Sequence, residues 1–585
     1  MTNLKLALAD EDFKHVWGAY PRERAAEALA HTSLDLVCGR RDRASFQVML
    51  QAAEAFTLAV TDNPAFSWQG DIPGLRLAVR WTDDGPALQS EMNLIGLVED
   101  DDRLWRADTL LADEAAEVAA GFVQPVWVEI AIPADAAPGL RRGRVEVWEH
   151  RLFSAEELVG ALEFSVEIKA VTLPEPRAYR LWLDLWQHLS NLARKHEVKL
   201  WSDEHFAVLE PYTAALAALG QKAITCVVSE IPWSGQGCCQ VTNYPSNYYE
   251  YSLVSVARDA AGAWRYDFSV LDRYIELCFA HGIDGEIEVL GLCNIWRFEE
   301  YGFGGVAADC PEALRVRYRD ETTGSYRYMD TCADLTAYVQ SLEAHFAARG
   351  WLERVRVTAD EPADPERYAA VLDWLGEIAP GLRLKSAFNH AAFLVEFADR
   401  VEDFVPLLNC LVEEYEVVRR RLESGRGRLS YYVCCAPDYP NNWLASPLVE
   451  SRLLMWLVLW SGVHGFLRWD FTAWPERPRE QAWWRWKTGD THFVLPGNNG
   501  RPLLTLRYKA LQRGIQDYEL ARQLQDRHPQ AEAILTEIRT QLLRLPDWRD
   551  LYATGQPPAD LYSQSHEDYD KARRRLLEEL AALPG

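Results

Sequence analysis

Residues 354–368 read RVRVTADEPADPERY, and this stretch decides how the rest of the chain is parsed. Apolar residues alternate from Val355 to Ala359, which predicts a strand. The strand ends in two adjacent carboxylates, Asp360 and Glu361, followed by Pro362. In a regular strand neighbouring side chains face opposite sides. Arg356, Thr358 and Asp360 would then face one way, and Val355, Val357, Ala359 and Glu361 the other. Both acids reach one pocket only if the pleat stops between them. Pro362 is expected to stop it, by driving Glu361 toward extended backbone and removing a ladder donor.

Outward from this strand, short apolar runs alternate with amphipathic stretches. The strands predicted are 179–186, 222–229, 285–292, 354–361, 382–390, 401–408, 428–435 and 464–471. Helices are predicted between them, at 269–282, 332–350 and 446–462. The last carries Ser446 as N-cap, Pro447 next and Gly462 at its end. A further helix, 501–525, follows the eighth strand. Eight strand–helix units predict a (β/α)₈ barrel, with a doubly wound open sheet as the alternative.

Ahead of the barrel the rhythm is short and period-two. SLDLVCG, ASFQVMLQA, LRLAVRW, QPVWVEIAI and RGRVEVWE read as strands of an antiparallel β-sandwich. VTLPEPRAY (171–179), with two prolines, reads as a linker. The expected architecture is a sandwich over 1–175, the barrel over 176–525, and a helical extension over 526–585 packed on the barrel.

The barrel places the acid pair at a strand C-terminus, where such folds carry their chemistry. Two close carboxylates raise one another's proton affinity, so one stays charged while the other holds a proton. Glycoside hydrolysis by two separated carboxyls fits an adjacent pair poorly. Substrate-assisted cleavage fits it better: the sugar's own 2-acetamido oxygen attacks the anomeric carbon, one carboxylate orients that amide, and its neighbour protonates the leaving oxygen. Asp-Glu-Pro before a helix is also ordinary N-terminal punctuation, favoured by the helix dipole.

Composition limits the alternatives. The net charge of −26 disfavours nucleic acid and anionic membranes as partners. The 23 Trp and 24 Tyr suit both core packing and stacking on pyranose faces. Eleven cysteines without a CxxC pair favour reduced thiols over disulfides or zinc knuckles. The amino terminus shows no signal-peptide pattern and no 18-residue apolar run occurs, so a cytoplasmic location is expected. Walker A, GxGxxG, HExxH and GxSxG motifs are absent. The sequence leaves homo-oligomerisation open.

Several blocks together resemble glycoside hydrolase family 123, the β-N-acetylgalactosaminidases: WLDLWQH (182–188), ADEP (359–362), KSAFNH (385–390), the long block from Tyr431 to Pro475, and RYKALQRGIQDYE (507–519). The resemblance implies retaining cleavage of a glycan bearing terminal β-linked GalNAc, with no metal or organic cofactor. It makes Asp360 the residue that orients the acetamido group and Glu361 the general acid/base. Terminal GlcNAc, a pair of separated carboxylates such as Glu361 with Asp470, and a non-catalytic carbohydrate-binding relative are the alternatives.

Candidate substrate-binding residues surround the pair. Trp186 ends the first strand, and Trp469 with Asp470 the eighth. Asn389 and His390 end the fifth. Tyr432 is placed to donate to the acetamido oxygen, Trp474 to stack on a sugar from the loop after the eighth strand, and Tyr244 to contribute from the loop after the second. Arg468 should face away from Trp469 and make a structural salt bridge.

Overall fold

The front of the chain forms two six-stranded, mostly antiparallel sheets in the computed structural model. The structure describes residues 3–17, 27–62, 72–151, 154–232, 249–295, 304–475, 477–479, 482, 486–553 and 555–583. One sheet centres on Asp42–Gln51 paired with Val123–Ile132, the other on Gly139–His150 paired with Glu157–Thr172. Phe46, Val48, Val126 and Val128 of the first meet Leu75, Val145 and Phe164 of the second, with the Phe46 and Phe164 rings 5.0 Å apart. In the strand Asp42–Gln51 every residue up to Leu50 is buried, not every second one. Its other face lies under the helix Leu506–Arg527: Arg43 donates to the Lys509 carbonyl, and Lys509 pairs with Glu129 at 2.8 Å.

That seam is charged and largely buried. Arg513 bonds Glu11 and Asp42; Arg573, on the terminal helix His566–Ala582, bonds Asp42 and Asp517. Arg452 bonds Asp12 and Asp517, and Arg507 bonds Asp108. Removing one partner from such a buried pair costs about 3–5 kcal/mol, because the other charge is stranded.

Beyond Thr172 the predicted strands form at Trp182–Leu185, Ala223–Val227, Glu286–Leu290, Val355–Asp360, Arg383–Phe388, Asp403–Pro406, Ser430–Tyr432 and Gly465–Arg468. All their pairings are parallel. They make a five-stranded sheet, from the second to the sixth in chain order, and a three-stranded sheet ordered first, eighth, seventh. Instead of one continuous ladder of eight strands, the backbone pairing between the two sheets among the described residues is limited to isolated parallel bridges, Leu183 to Gln221, Phe404 to Leu429 and Leu407 to Tyr432. The reason is local. Between the first two strands, side chains replace backbone partners: Gln221 accepts from the Leu185 N–H at 2.9 Å and donates to the Ala223 carbonyl, while Gln187 and Thr225 bond each other's backbone N–H. At the other junction Asp403 takes the Arg428 N–H and Pro406 has none to give.

The eighth strand packs against the first so closely that a Cβ on Gly465 would lie 1.8 Å from the Trp182 carbonyl oxygen. Helices form at Ser269–Ala280, Cys332–Ala348 and Leu448–Ser461, as the apolar spacing predicts. The last begins one residue later than expected, with Pro447 at the N-cap and Gly462 closing it in the left-handed region at φ 74°. Helices Ala531–Leu542 and His566–Ala582 make the carboxyl-terminal part helical. No described helix is long and apolar enough to cross a membrane.

Candidate active site

The inward faces of the parallel strands are charged, which the sequence reading missed. Lys385 lies among Asp184, Glu286 and Glu288, 2.9 Å from Glu286 and 3.1 Å from Glu288. Arg356 bonds Asp403 at 2.8 Å, Arg428 bonds Glu286 at 2.7 Å, and the Thr358 hydroxyl donates to Glu288 at 3.0 Å. Asp184, Glu286 and Glu288 approach as metal ligands do, but the Lys385 ammonium already supplies their cation. Four carboxylates face three cations here, and burial raises the proton affinity of Asp184 and Glu288. This cluster fixes the strands one layer below the acid pair.

Asp360 is the last residue of the Val355–Asp360 strand, two positions beyond Thr358. Glu361 does not continue it. Its φ is +49°, so the backbone turns left-handed instead of staying extended as Pro362 alone would suggest. A non-glycine residue there carries about 1–2 kcal/mol of strain. The turn defeats strand alternation and lets Asp360 and Glu361 border a single pocket, with Trp186, Tyr432 and Trp469. Two anchors hold it: the Glu361 N–H donates to the Ala387 carbonyl at 3.0 Å, and Asn294 donates to the Asp360 carbonyl.

Glu361 is gripped by its side chain as well. The Tyr432 hydroxyl donates to Oε1 at 2.5 Å and Asn389 Nδ2 to Oε2 at 3.0 Å. Burial pushes its carboxyl above the ordinary range and the nearby Asp490 charge adds to this, while Tyr432 and Asn389 pull the other way. Such a carboxyl can carry a proton where an exposed one cannot.

Asp490 is the residue the sequence reading overlooked. It borders the same pocket, fully buried, with Arg468 donating to it at 3.0 Å. Burial raises its pKa to about 6 against the pull of Arg468. Its only signal was position, in the KTGD turn after the eighth strand. Cys434 and Cys435 also border the pocket, their sulfurs 3.8 Å apart.

The remaining candidates divide. Trp186 and Trp469 reach the pocket, and Asn389 reaches Glu361. His390 is exposed at the start of a six-residue helix, its Nδ1 by its neighbour's carbonyl and its ring against Phe393, and does not border the pocket. Asp470 is fully buried and paired with Arg468 at 2.9 Å, so it cannot serve as a separated partner to Glu361 in the pocket. Trp474 does not stack on a ligand: it is fully buried, its indole N–H donates to the Val494 carbonyl at 2.6 Å, and Tyr212 packs against it. Tyr432 holds Glu361 where it was expected to face an acetamido oxygen. Arg468 has the structural role expected, bonding Asp470, Asp490 and Asn441. Tyr244 lies outside the described residues.

The family model for the catalytic domain of glycoside hydrolase 123 matches residues 186–524, more than half the chain. A family 123 glycoside hydrolase from Clostridium perfringens, solved in a study of glycolipid glycan hydrolysis, is similar in structure: TM-score 0.72, 18% identity, covering 99% of this chain and 97% of that one. A β-D-glucuronidase from Dictyoglomus thermophilum aligns at TM-score 0.29 and 10% identity, covering 75% of this chain and 68% of that one, and carries no weight here. A search of curated proteins gave no match.

Proposed function

The chain belongs to glycoside hydrolase family 123 and is a glycoside hydrolase, and from that premise we propose that it releases terminal β-linked N-acetylgalactosamine with retention, using the substrate's acetamido group as nucleophile. One observation carries the proposal: consecutive carboxylates, brought to one pocket by the left-handed turn at Glu361. In this reading Asp360 orients and polarises the acetamido group. Its carbonyl oxygen attacks the anomeric carbon as Glu361 gives its proton to the leaving oxygen. Glu361 then takes a proton from the water that opens the oxazoline, so the second inversion restores the β configuration. Trp186 and Trp469 offer flat faces for the pyranose.

The same reading treats residues 176–525 as a catalytic (β/α)₈ barrel, and the isolated bridges between its two parallel sheets at Leu183, Phe404 and Leu407 support it. The sandwich over 1–175 and the helical segment over 526–585 brace it.

Paired aryl β-GalNAc and β-GlcNAc substrates test the specificity, and a thiazoline mimic of the cyclised intermediate tests the route. Potent thiazoline inhibition and slow turnover of the matching galactoside without the acetamido group support it. Equal turnover of that galactoside overturns it. Glu361→Gln should lose most activity on glycosides with poor leaving groups and less on activated aryl glycosides, whereas Asp360→Asn should impair both.

A further inference from the structure

Two thiols stand side by side in the wall of the acid-pair pocket. Cys434 and Cys435 follow the strand Ser430–Tyr432 and border the same cavity, of about 70 Å³, as Asp360, Glu361, Trp469 and Asp490. Their sulfurs are 3.8 Å apart. A disulfide needs about 2.0 Å, so rotation of the two side chains brings the sulfurs toward bonding distance. Among the described residues Cys435 is the exposed cysteine; the others are buried or partly buried.

The two thiols differ as a thiol–disulfide exchange requires. Cys435 is open to solvent and meets an oxidant first. Cys434 is buried, and contact with the Cys435 thiol, burial and the charges of Glu361 and Asp490 all keep its proton on. Its advantage is position: once Cys435 carries a leaving group, Cys434 is already beside it.

The peptide that joins them is held in place. The Cys434 carbonyl accepts from Asn441 Nδ2 and from the Trp443 indole N–H, both at 3.0 Å. Asn441 Oδ1 accepts from Arg468 at 2.9 Å, and Arg468 donates to Asp490 at 3.0 Å. A disulfide between neighbouring residues closes the smallest ring a chain allows, and its peptide cannot stay planar and trans without strain.

We propose that Cys434 and Cys435 are a redox-active dithiol, that a low-molecular-weight disulfide oxidises them to a vicinal disulfide, and that the oxidised form does not hydrolyse glycosides. Cys435 Sγ, its proton lost to solvent, attacks one sulfur of the oxidant. The oxidant's S–S bond breaks, and one thiolate leaves and is protonated by solvent. Cys434 Sγ then attacks Cys435 Sγ of the mixed disulfide, and the second thiolate leaves with the Cys434 proton. Two electrons pass from the protein thiols to the oxidant, which ends as two thiols. Ring closure turns the Cys434 carbonyl away from Asn441 and Trp443, and through Asn441 and Arg468 it disturbs Asp490 on the pocket wall. A strained, accessible disulfide is readily reduced, so the change is reversible.

Incubating the full chain with glutathione disulfide tests this, with peptide mass mapping and turnover of whichever aryl β-glycoside the protein hydrolyses fastest as readouts. The peptide carrying both cysteines should become lighter by two hydrogens. Turnover should fall by at least about tenfold and return on adding dithiothreitol. Cys434→Ser should stop at the mixed disulfide, with one glutathionyl group on Cys435. Cys435→Ser should keep the same turnover before and after the oxidant, within about twofold. A peptide of unchanged mass, ring closure without loss of turnover, or an equal loss in Cys435→Ser overturns the proposal. The mass readout needs no substrate, so it stands apart from the roles given to Asp360 and Glu361.

Discussion

Replacing Tyr432 with phenylalanine removes one hydroxyl and leaves the ring. That hydroxyl lies 2.5 Å from Glu361 Oε1, in the range of a charge-assisted hydrogen bond. It bonds the ionised carboxylate better than the neutral acid, so it holds the Glu361 pKa down against burial. A bond of this class is worth about 1.5–3 kcal/mol. At about 1.36 kcal/mol per pH unit, its loss moves the titration of Glu361 upward by ~1–2 pH units. If Glu361 acts as the proton donor, the alkaline limb of kcat/KM for an aryl β-N-acetylgalactosaminide moves to higher pH by that amount. The acid limb, which reports another group, should stay within a few tenths of a unit. Steady-state kinetics from pH 4 to 10 on both proteins measure the shift. An alkaline limb that stays in place, or moves to lower pH, refutes the role given to this hydrogen bond.

Three further substitutions follow from the same geometry. Asp490→Asn removes a negative charge that raises the Glu361 pKa, so the alkaline limb should shift to lower pH, and an upward shift would count against the shared pocket. Gly465→Ala should destabilise the fold by about 1–3 kcal/mol through overpacking, since its methyl carbon would meet the Trp182 carbonyl; an unchanged melting temperature would refute the close approach of the first and eighth strands. Burial alone would lower the His566 pKa, but Asp10 and Asp12 outweigh it and raise it from 6.5 to about 9. The folded protein then holds this proton more tightly than the unfolded chain, so the contribution is complete below about pH 6.5 and lost as pH rises through 9. It amounts to at most about 3 kcal/mol. Urea unfolding at pH 6 and pH 9 should show the wild type losing more stability than His566→Gln, and equal losses would refute the interaction.

How much of the site the sequence discloses depends on distance along the chain. Asp360, Glu361, Trp186 and Trp469 all stand at or just past predicted strand ends, and periodicity alone puts them at one rim. Trp474 and Asp470 satisfied the same rule and still went inward. Trp474 found the Val494 carbonyl and Asp470 found Arg468, partners that no local pattern announces. Asp490 had no pattern at all. It matters because Arg468 and the pocket wall converge on the turn that carries it. The charged layer around Lys385 was hidden for a related reason. Its members lie up to about 240 residues apart in the chain (Asp184 to Arg428), and each alone looks like a polar residue interrupting an apolar strand.

The sequence by itself determined the strands, most helices, the polar rim and the adjacency of two acids, because those are set by side-chain period and covalent order. Only the tertiary structure decided that the two acids share a pocket. That depends on the left-handed backbone at Glu361, a strained conformation that a linear pattern does not favour, held by the Ala387 carbonyl, Asn389 and Tyr432 from strands brought alongside by folding.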